Sequence, residues 1–552
     1  MVKKFAKLTG STLDGYRSES LIRINPFDAN AVSKNWRRVI CATESLSVIK
    51  DRSQSSVSKR LRLTLGSGYG IANILDSFHR DKEDDKNQQA FDDEILHESN
   101  AESHSSVDVN DLNSDAKGAA REKWWTNVVK RIATAGENSL FEYPTIQRVV
   151  REIWAEHANA RKVLVFGKFT KPMQALVNLL NAHEMLRCLD EKIPWPQSKV
   201  HEGSGGKGDD SEWAAIQTVQ RQSDRHETLD DLNRQLKLQY DREQNRREKF
   251  SRGLIAKLDD GMAGDSPISK TVQVIFQSFK AEVKLKSTGK DNPLPLVVRA
   301  IADSLGLKYD VRSNIECAIA FSDLVTAACD NDDLDKIGKN IDNEVGSEDV
   351  EEEAKPDGTV WGKSKLFERL TTEYNHVRGG FARLMIGPTR NESRRIIQQA
   401  FNRPHSYPGV LVAQSLVGRE GLNLHKSCRV VILLHMEWNA GVVEQQIGRV
   451  DRVGSLWCQE MEQKIKENCL PEDLPRIEVR QVVFSGTYDE QQWQVLKRRM
   501  DDNRAQLHGV IIPPSTEICD DETKTLAAEI QQVAPNFSPT AMYSKTIPGI
   551  KQ

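Results

Sequence analysis

The chain has 552 residues, 38% hydrophobic and 28% charged, and its 77 lysine and arginine residues nearly balance 80 acidic ones for a net charge of −3. Length alone allows roughly three to four units of ~150 residues, and the low apolar fraction assigns part of the chain to solvated helix or linker. No apolar run reaches the ~18 to 20 residues of a membrane span, the start MVKKFAKLTG has no signal core, and the eight cysteines lack Cys-x-x-Cys spacing. These features exclude a membrane protein and a disulfide or zinc framework, and point to a soluble, cytoplasmic chain.

The balanced charge neither demands nor excludes nucleic acid, because a basic groove can sit on a chain whose acidic runs lie elsewhere. Residues 1–80 read as helical and moderately basic. Residues 81–117 shift to Asp, Asn, Ser and Glu, the composition of a linker or loop. From 118 to 182 order resumes. Ile146, Val149, Val150 and Ile153 repeat at helical spacing, and Val163 to Phe166 is a continuous apolar run of the kind found in a strand covered on both faces. PMQALVNLL then reads as a helix, completing one strand–helix unit.

Residues 183–360 differ in character. The stretch from Ser211 to Leu254 is charged, and Leu229, Leu232, Leu236 and Tyr240 fall on one side, so a long helix or helical hairpin is predicted within a helical insertion. The α/β pattern returns over 361–485 with FARLMIG, GVLVAQS, RVVILL and IEVRQVVF as strands, which together with the first unit predicts a parallel sheet with helices on both faces. Over 486–552 the stripe Trp493, Leu496, Met500 and Leu507 marks a C-terminal helix followed by a tail.

Three glycine-rich stretches fail as phosphate loops. GSGGKGDD at Gly203 has Gly208 where a Ser or Thr must hold magnesium, GTVWGKS at Gly358 is one residue too short between its glycines, and GSGYG at Gly66 has no lysine. No strand ends in the acidic pair that anchors magnesium, and His425 and His435 have no metal-ligand spacing, so no metal site is expected in the chain itself. The strongest local signal is VVEQQIGRVDRVGS from Val442. Gln445, Arg449 and Arg452 share one helical face, Val443, Ile447 and Val450 the other, and Gly448 removes a side chain beside the arginines.

In its wider frame, this segment resembles motifs V and VI of superfamily-two helicases in the Swi/Snf branch. Gly418, Gly421, Asn423 and Leu424 match the loop G-x-x-G-x-N-L, Trp438 and Asn439 the aromatic–Asn pair, and Gln445, Gly448, Arg449 and Arg452 the pattern Q-x-x-G-R-x-x-R. KVLVFGKFTKPMQALVNLL is similar to motif IV, and the helix from Tyr488 to the brace helix of bacterial RapA-like and phage-restriction members. Ala440 and Ser455 depart from the proline and glutamine common in the family.

This resemblance implies a RecA-like helicase C-terminal lobe interrupted by the insertion and preceded by a helical N-terminal region. It implies that Arg452 is an arginine finger, Arg449 a second γ-phosphate contact and Gln445 the residue orienting them. Gly421, Asn423 and Gly448 are implied at the nucleotide, and Lys168, Ser415 and Gly418 at nucleic acid. The implied cofactor is ATP with Mg, shared with a first lobe that these residues do not contain; the implied partners are that lobe and nucleic acid, duplex DNA above all, in phage defence or transcription. A retained, non-catalytic binding module is the alternative function.

Overall fold

The computed structural model describes residues 1–10, 15–28, 32–50, 140–200, 212–263, 268–285, 292–328, 380–389, 391–404, 406–418 and 422–507, with a few single positions besides. The acidic stretch 81–117, the glycine-rich stretches at Gly203 and Gly358, and Gly421 lie outside the described residues.

Six parallel strands form one sheet: β1 (Arg17–Ile24), β2 (Lys162–Gly167), β3 (Ala382–Met385), β4 (Val410–Gln414), β5 (Cys428–Leu433) and β6 (Ile477–Phe484), in the order β1-β6-β5-β2-β4-β3. The helices are, in chain order, α1 (Val2–Thr9), α2 (Lys34–Lys50), α3 (Pro144–Ala158), α4 (Thr170–Glu191), α5 (Glu212–Gln222), α6 (Leu229–Met262), α7 (Lys270–Leu285), α8 (Leu294–Leu305), α9 (Asn314–Ala328), α10 (Asn391–Phe401), the single turn α11 (Ser415–Gly418), α12 (Ala440–Ile447), α13 (Leu456–Lys466) and α14 (Tyr488–Leu507).

Side chains alternate across the strands and so build two cores. Val163, Val165, Val410, Val412, Val430 and Ile432 face one way, against α3 and α4. Leu164, Phe166, Leu411, Ala413, Val431 and Leu433 face the other, against α10, α12, α13 and α14. The predicted doubly covered parallel sheet is therefore present, and its inner strand β2 pairs with strands far downstream, Val163 lying opposite Val410 of β4 and Val430 of β5, with residues 168–381 between β2 and β3.

One expectation needs correction. Residues 1–80 are not helical throughout: Arg17–Ile24 is an edge strand in register with β6, with Arg17 opposite Ile477 and Ile24 opposite Phe484. Its inner end alternates, Ile22 and Ile24 buried with the exposed Arg23 between them, and its backbone pairs along the whole of β6. The helical insertion packs on the lobe over its first part. Ala215, Ile216 and Val219 of α5, with Leu232 and Leu236 of α6, belong to the same core as β2 and α4. Farther along α6, Phe250, Leu254 and Leu258 join α7, α8 and α9 in a third core of their own. Among the described residues no helix is long and apolar enough to cross a membrane.

Candidate nucleotide and nucleic-acid site

Helix α12 starts where it does because the Asn439 side chain accepts the Gly441 N–H at 2.8 Å. Ala440 occupies the first helical position, where proline is also well suited, so the departure from the family pattern leaves the cap intact. Val443 and Ile447 are fully buried and fasten the helix to the sheet. The helix then stops at Ile447. The N–H groups of Arg449 and Val450 reach back only three residues, to Gln446 O at 3.1 Å and Ile447 O at 3.0 Å, which tightens the chain into turns. Arg449 and Arg452 thus lie beyond the helix and not on its face, a correction to the helical arithmetic. A Cβ on Gly448 would sit 3.1 Å from Glu444 O, so the glycine lets the chain turn close against the last helical carbonyls.

The same turns bring motif V to motif VI. Leu424 N–H donates to Arg449 O at 3.1 Å, Arg452 Nε donates to Gly448 O at 3.2 Å, and the Arg452 guanidinium donates to Asn423 Oδ1. Arg449, Arg452, Asn423 and Gly448 are therefore one cluster. Gln445 is exposed beside it, and Arg452 donates its hydrogen bonds to Asn423 and Gly448. Arg449 is buried, and burial followed by the charge of Arg452 lowers its pKa. Two crowded guanidiniums are a donor set for a polyanion, since an anion relieves their repulsion.

Two acids flank this pair, and both bond to the N-terminal strand. Arg17 of β1 reaches Glu444 at 2.6 Å and Asp451 at 2.7 Å, and the Tyr16 hydroxyl donates to Asp451 at 2.5 Å. The salt bridges of Glu444 and Asp451 thus run to the N-terminal strand. Ser455, buried, caps α13 by accepting the Cys458 N–H at 3.3 Å, which gives the serine in the glutamine position a local purpose.

Lys168 and Ser415 lie together in a second cluster at the carboxyl ends of β2 and β4. Lys168 Nζ stands 3.1 Å from Glu437, Gln446 donates to Glu437 at 3.3 Å and to the Ser415 hydroxyl at 3.1 Å, and Ser415 donates to Gly167 O at 3.2 Å. Lys168 and Ser415 are thus bonded internally, and Gly418 ends the single turn α11. His435 closes the cluster from below: its Nδ1 accepts the N–H groups of Lys168 at 2.8 Å and Phe169 at 3.2 Å. A Cβ on Gly167 would come within 2.9 Å of that nitrogen, so glycine is required there. Glu437, Gln446, Arg17 and Tyr16 escaped the sequence reading. Gln446 had a signal, since its place three residues after Val443 marks the buried face of α12; Arg17 had none, because its partners are more than 400 positions away.

Residues 362–454 match the Helicase conserved C-terminal domain. The chain is similar to the SNF2 domain-containing protein CLASSY 4 of Arabidopsis thaliana, 35% identical over 89 residues, which cover 16% of this chain and 8% of that protein. It is also similar to the C-terminal part of the Fun30 ATPase domain, at 13% identity over 46% of this chain and 84% of that one, with a TM-score of 0.17, too low to carry a structural comparison. The match to the helicase C-terminal domain covers the segment that holds motifs V and VI, and the chain spans less than a tenth of the length of CLASSY 4. The family match begins at residue 362 and so leaves out β2 and α4, which the sheet places at its centre.

Proposed function

We propose that this chain is the C-terminal half of an ATP-dependent Snf2-type helicase or nucleic-acid translocase, and that hydrolysis requires a first lobe from outside these residues. The observation that carries the reading is the Arg449–Arg452–Asn423 cluster, in which motif V holds the Arg452 guanidinium and the Arg449 carbonyl while both flanking acids are engaged by β1. In this reading Arg452 reaches the γ-phosphate and neutralises the charge that builds there, Arg449 makes the second contact, and exposed Gln445 meets the opposing lobe. Such arginine fingers are worth about 10³ to 10⁵ in rate. The donors here are cationic and suit phosphate oxygens; magnesium is assigned to acids of the first lobe. Asn423 joins the arginines to the motif V loop, where Gly418 and Gly421 offer backbone N–H groups to strand phosphates. Ser415 and Lys168, already bonded to Gln446 and Glu437, act here as the link between that loop and α12. Nucleic acid, duplex DNA first, is the proposed track.

The test is phosphate release from ATP, with and without duplex DNA, by the chain purified together with a co-eluting phosphate-loop protein. Arg452→Ala is expected to lower turnover about a thousandfold or more while DNA binding stays within a factor of about two; unchanged turnover removes the finger role.

A further inference from the structure

Helix α6 treats the cations on its two sides differently. On the side turned into the insertion, Arg246 pairs with Asp310, Arg247 meets Glu243 at 3.2 Å, and Lys257 donates to the carbonyls of Asp310 and Arg312 at 3.3 and 2.9 Å. Those three charges are matched from within the chain.

The outward side is another matter. Arg242, Asn245, Lys249 and Arg252 are all exposed, and their spacing of i, i+3, i+7 and i+10 sets them in one line along the helix. Exposed Gln235 continues the line one heptad earlier. Among the described residues, none of Arg242, Lys249 and Arg252 enters an ion pair or a side-chain hydrogen bond. The exposed acids nearest to them, Asp241 and Glu248, each precede a cation by one residue and so lie about 100° round the helix, on its flank. From Arg242 to Arg252 the line runs about 15 Å, and every polar side chain in it carries N–H donors.

What this line fits follows from what it lacks. Among the described residues of α6, Leu238 is the one large hydrophobic side chain left exposed. A protein partner needs an apolar centre to its contact, and a membrane needs an apolar helix face. A phosphate backbone needs only cations, because releasing its counterions drives binding, and it accepts amide donors as well.

We propose that the outward face of α6 is a sequence-independent contact for the phosphate backbone of duplex DNA. Arg242, Lys249 and Arg252 each neutralise a phosphate, and Asn245 donates between them. Because α6 is seated in the first core by Leu232 and Leu236 and in the third by Phe250 and Leu254, a duplex held here is fixed to the lobe and the insertion together. The contact lies on a different helix from the arginines of motif VI and does not rest on their reading.

The test is fluorescence anisotropy of the full chain with a labelled duplex, between about 50 and 200 mM salt. With Arg242→Gln, Lys249→Gln and Arg252→Gln combined, affinity is expected to fall about tenfold or more at the low-salt end, and the slope of log affinity on log salt to become shallower by about 2 to 3. Arg242→Lys with Arg252→Lys keeps both charges and is expected to leave the slope in place. Neutralising three exposed lysines of the lobe, Lys4, Lys34 and Lys466, to Gln changes net charge by the same amount and is expected to leave it too. Every substituted position is exposed, so the urea midpoint is expected to stay put in all three variants. The proposal is overturned by no binding of the duplex, by a slope that the triple α6 variant leaves unchanged, or by the lobe lysines flattening the slope as much as the α6 residues do.

Discussion

Several buried polar side chains in this lobe tie strand ends together, and two of them make stability depend on acidity. His435 is buried, and burial followed by the nearby Lys168 charge lowers its pKa to about 3. In the unfolded chain its imidazole takes a proton below its ordinary 6.5, so as pH falls from 6.5 toward 3 the unfolded state binds more protons and stability is lost across that window. Glu184 works lower. Burial would raise its pKa, but hydrogen bonds from Arg187, His157 and Tyr407 outweigh it and bring it to about 2, against an ordinary 4.5. Its contribution is present above 4.5 and lost between there and 2. Melting temperature is therefore expected to fall in two steps on acidification, one beginning near 6.5 and a second near 4.5. In His435→Gln the step that begins near 6.5 is expected to shrink to the part carried by His183, whose pKa burial lowers to about 4; if the step keeps its full size, His435 is not a titrating group there. At this scale the arginine cluster was legible because its members are close in sequence. Glu437 and Lys168 were not, because the sheet makes them neighbours across 269 positions.

Among elements, β2, β4, β5 and β6 could be read directly, since central parallel strands are apolar on both faces. The edge strand β1, RSESLIRI, buries only Ile22 and Ile24 and carries charges elsewhere, so periodicity gave it no distinct mark. Its role is nonetheless tied to the site. Arg17 and its two carboxylates are only 16% to 20% exposed, and removing one member of such a group strands the others. Arg17→Ala is expected to cost about 2 to 4 kcal/mol of unfolding free energy, measured by urea titration. Adding Glu444→Gln and Asp451→Asn to that variant is expected to restore much of the loss, because the stranded carboxylates are gone. If the triple variant is no more stable than Arg17→Ala alone, the network is not what Arg17 supports. Arg17→Lys is expected to recover less, since an ammonium cannot span both carboxylates as the guanidinium fork does.

For the molecule as a whole, three cores raise the question of how many units unfold. The two sheet cores share β2, β4, β5 and β6 and must melt together. The third core draws its buried residues from positions 250–325 and Leu370, with none from the sheet. What joins them is α6, a helix of 34 residues, about 50 Å long, which seats Leu232 and Leu236 in the first core and Phe250, Leu254 and Leu258 in the third. A rod with a separate anchor at each end lets one end release while the other stays packed, so two transitions are expected. The probes can be separated because Trp36, Trp195 and Trp457 lie in the sheet cores, while among the described residues the third core includes no tryptophan. Phe276→Ala, costing about 3 to 5 kcal/mol, is expected to move the early part of a far-ultraviolet circular dichroism transition to lower urea and leave the tryptophan fluorescence midpoint in place. Leu236→Ala, costing about 2 to 5 kcal/mol, is expected to move the fluorescence midpoint. If each variant shifts both signals equally, α6 transmits the loss along its length, and insertion and lobe unfold as one cooperative unit.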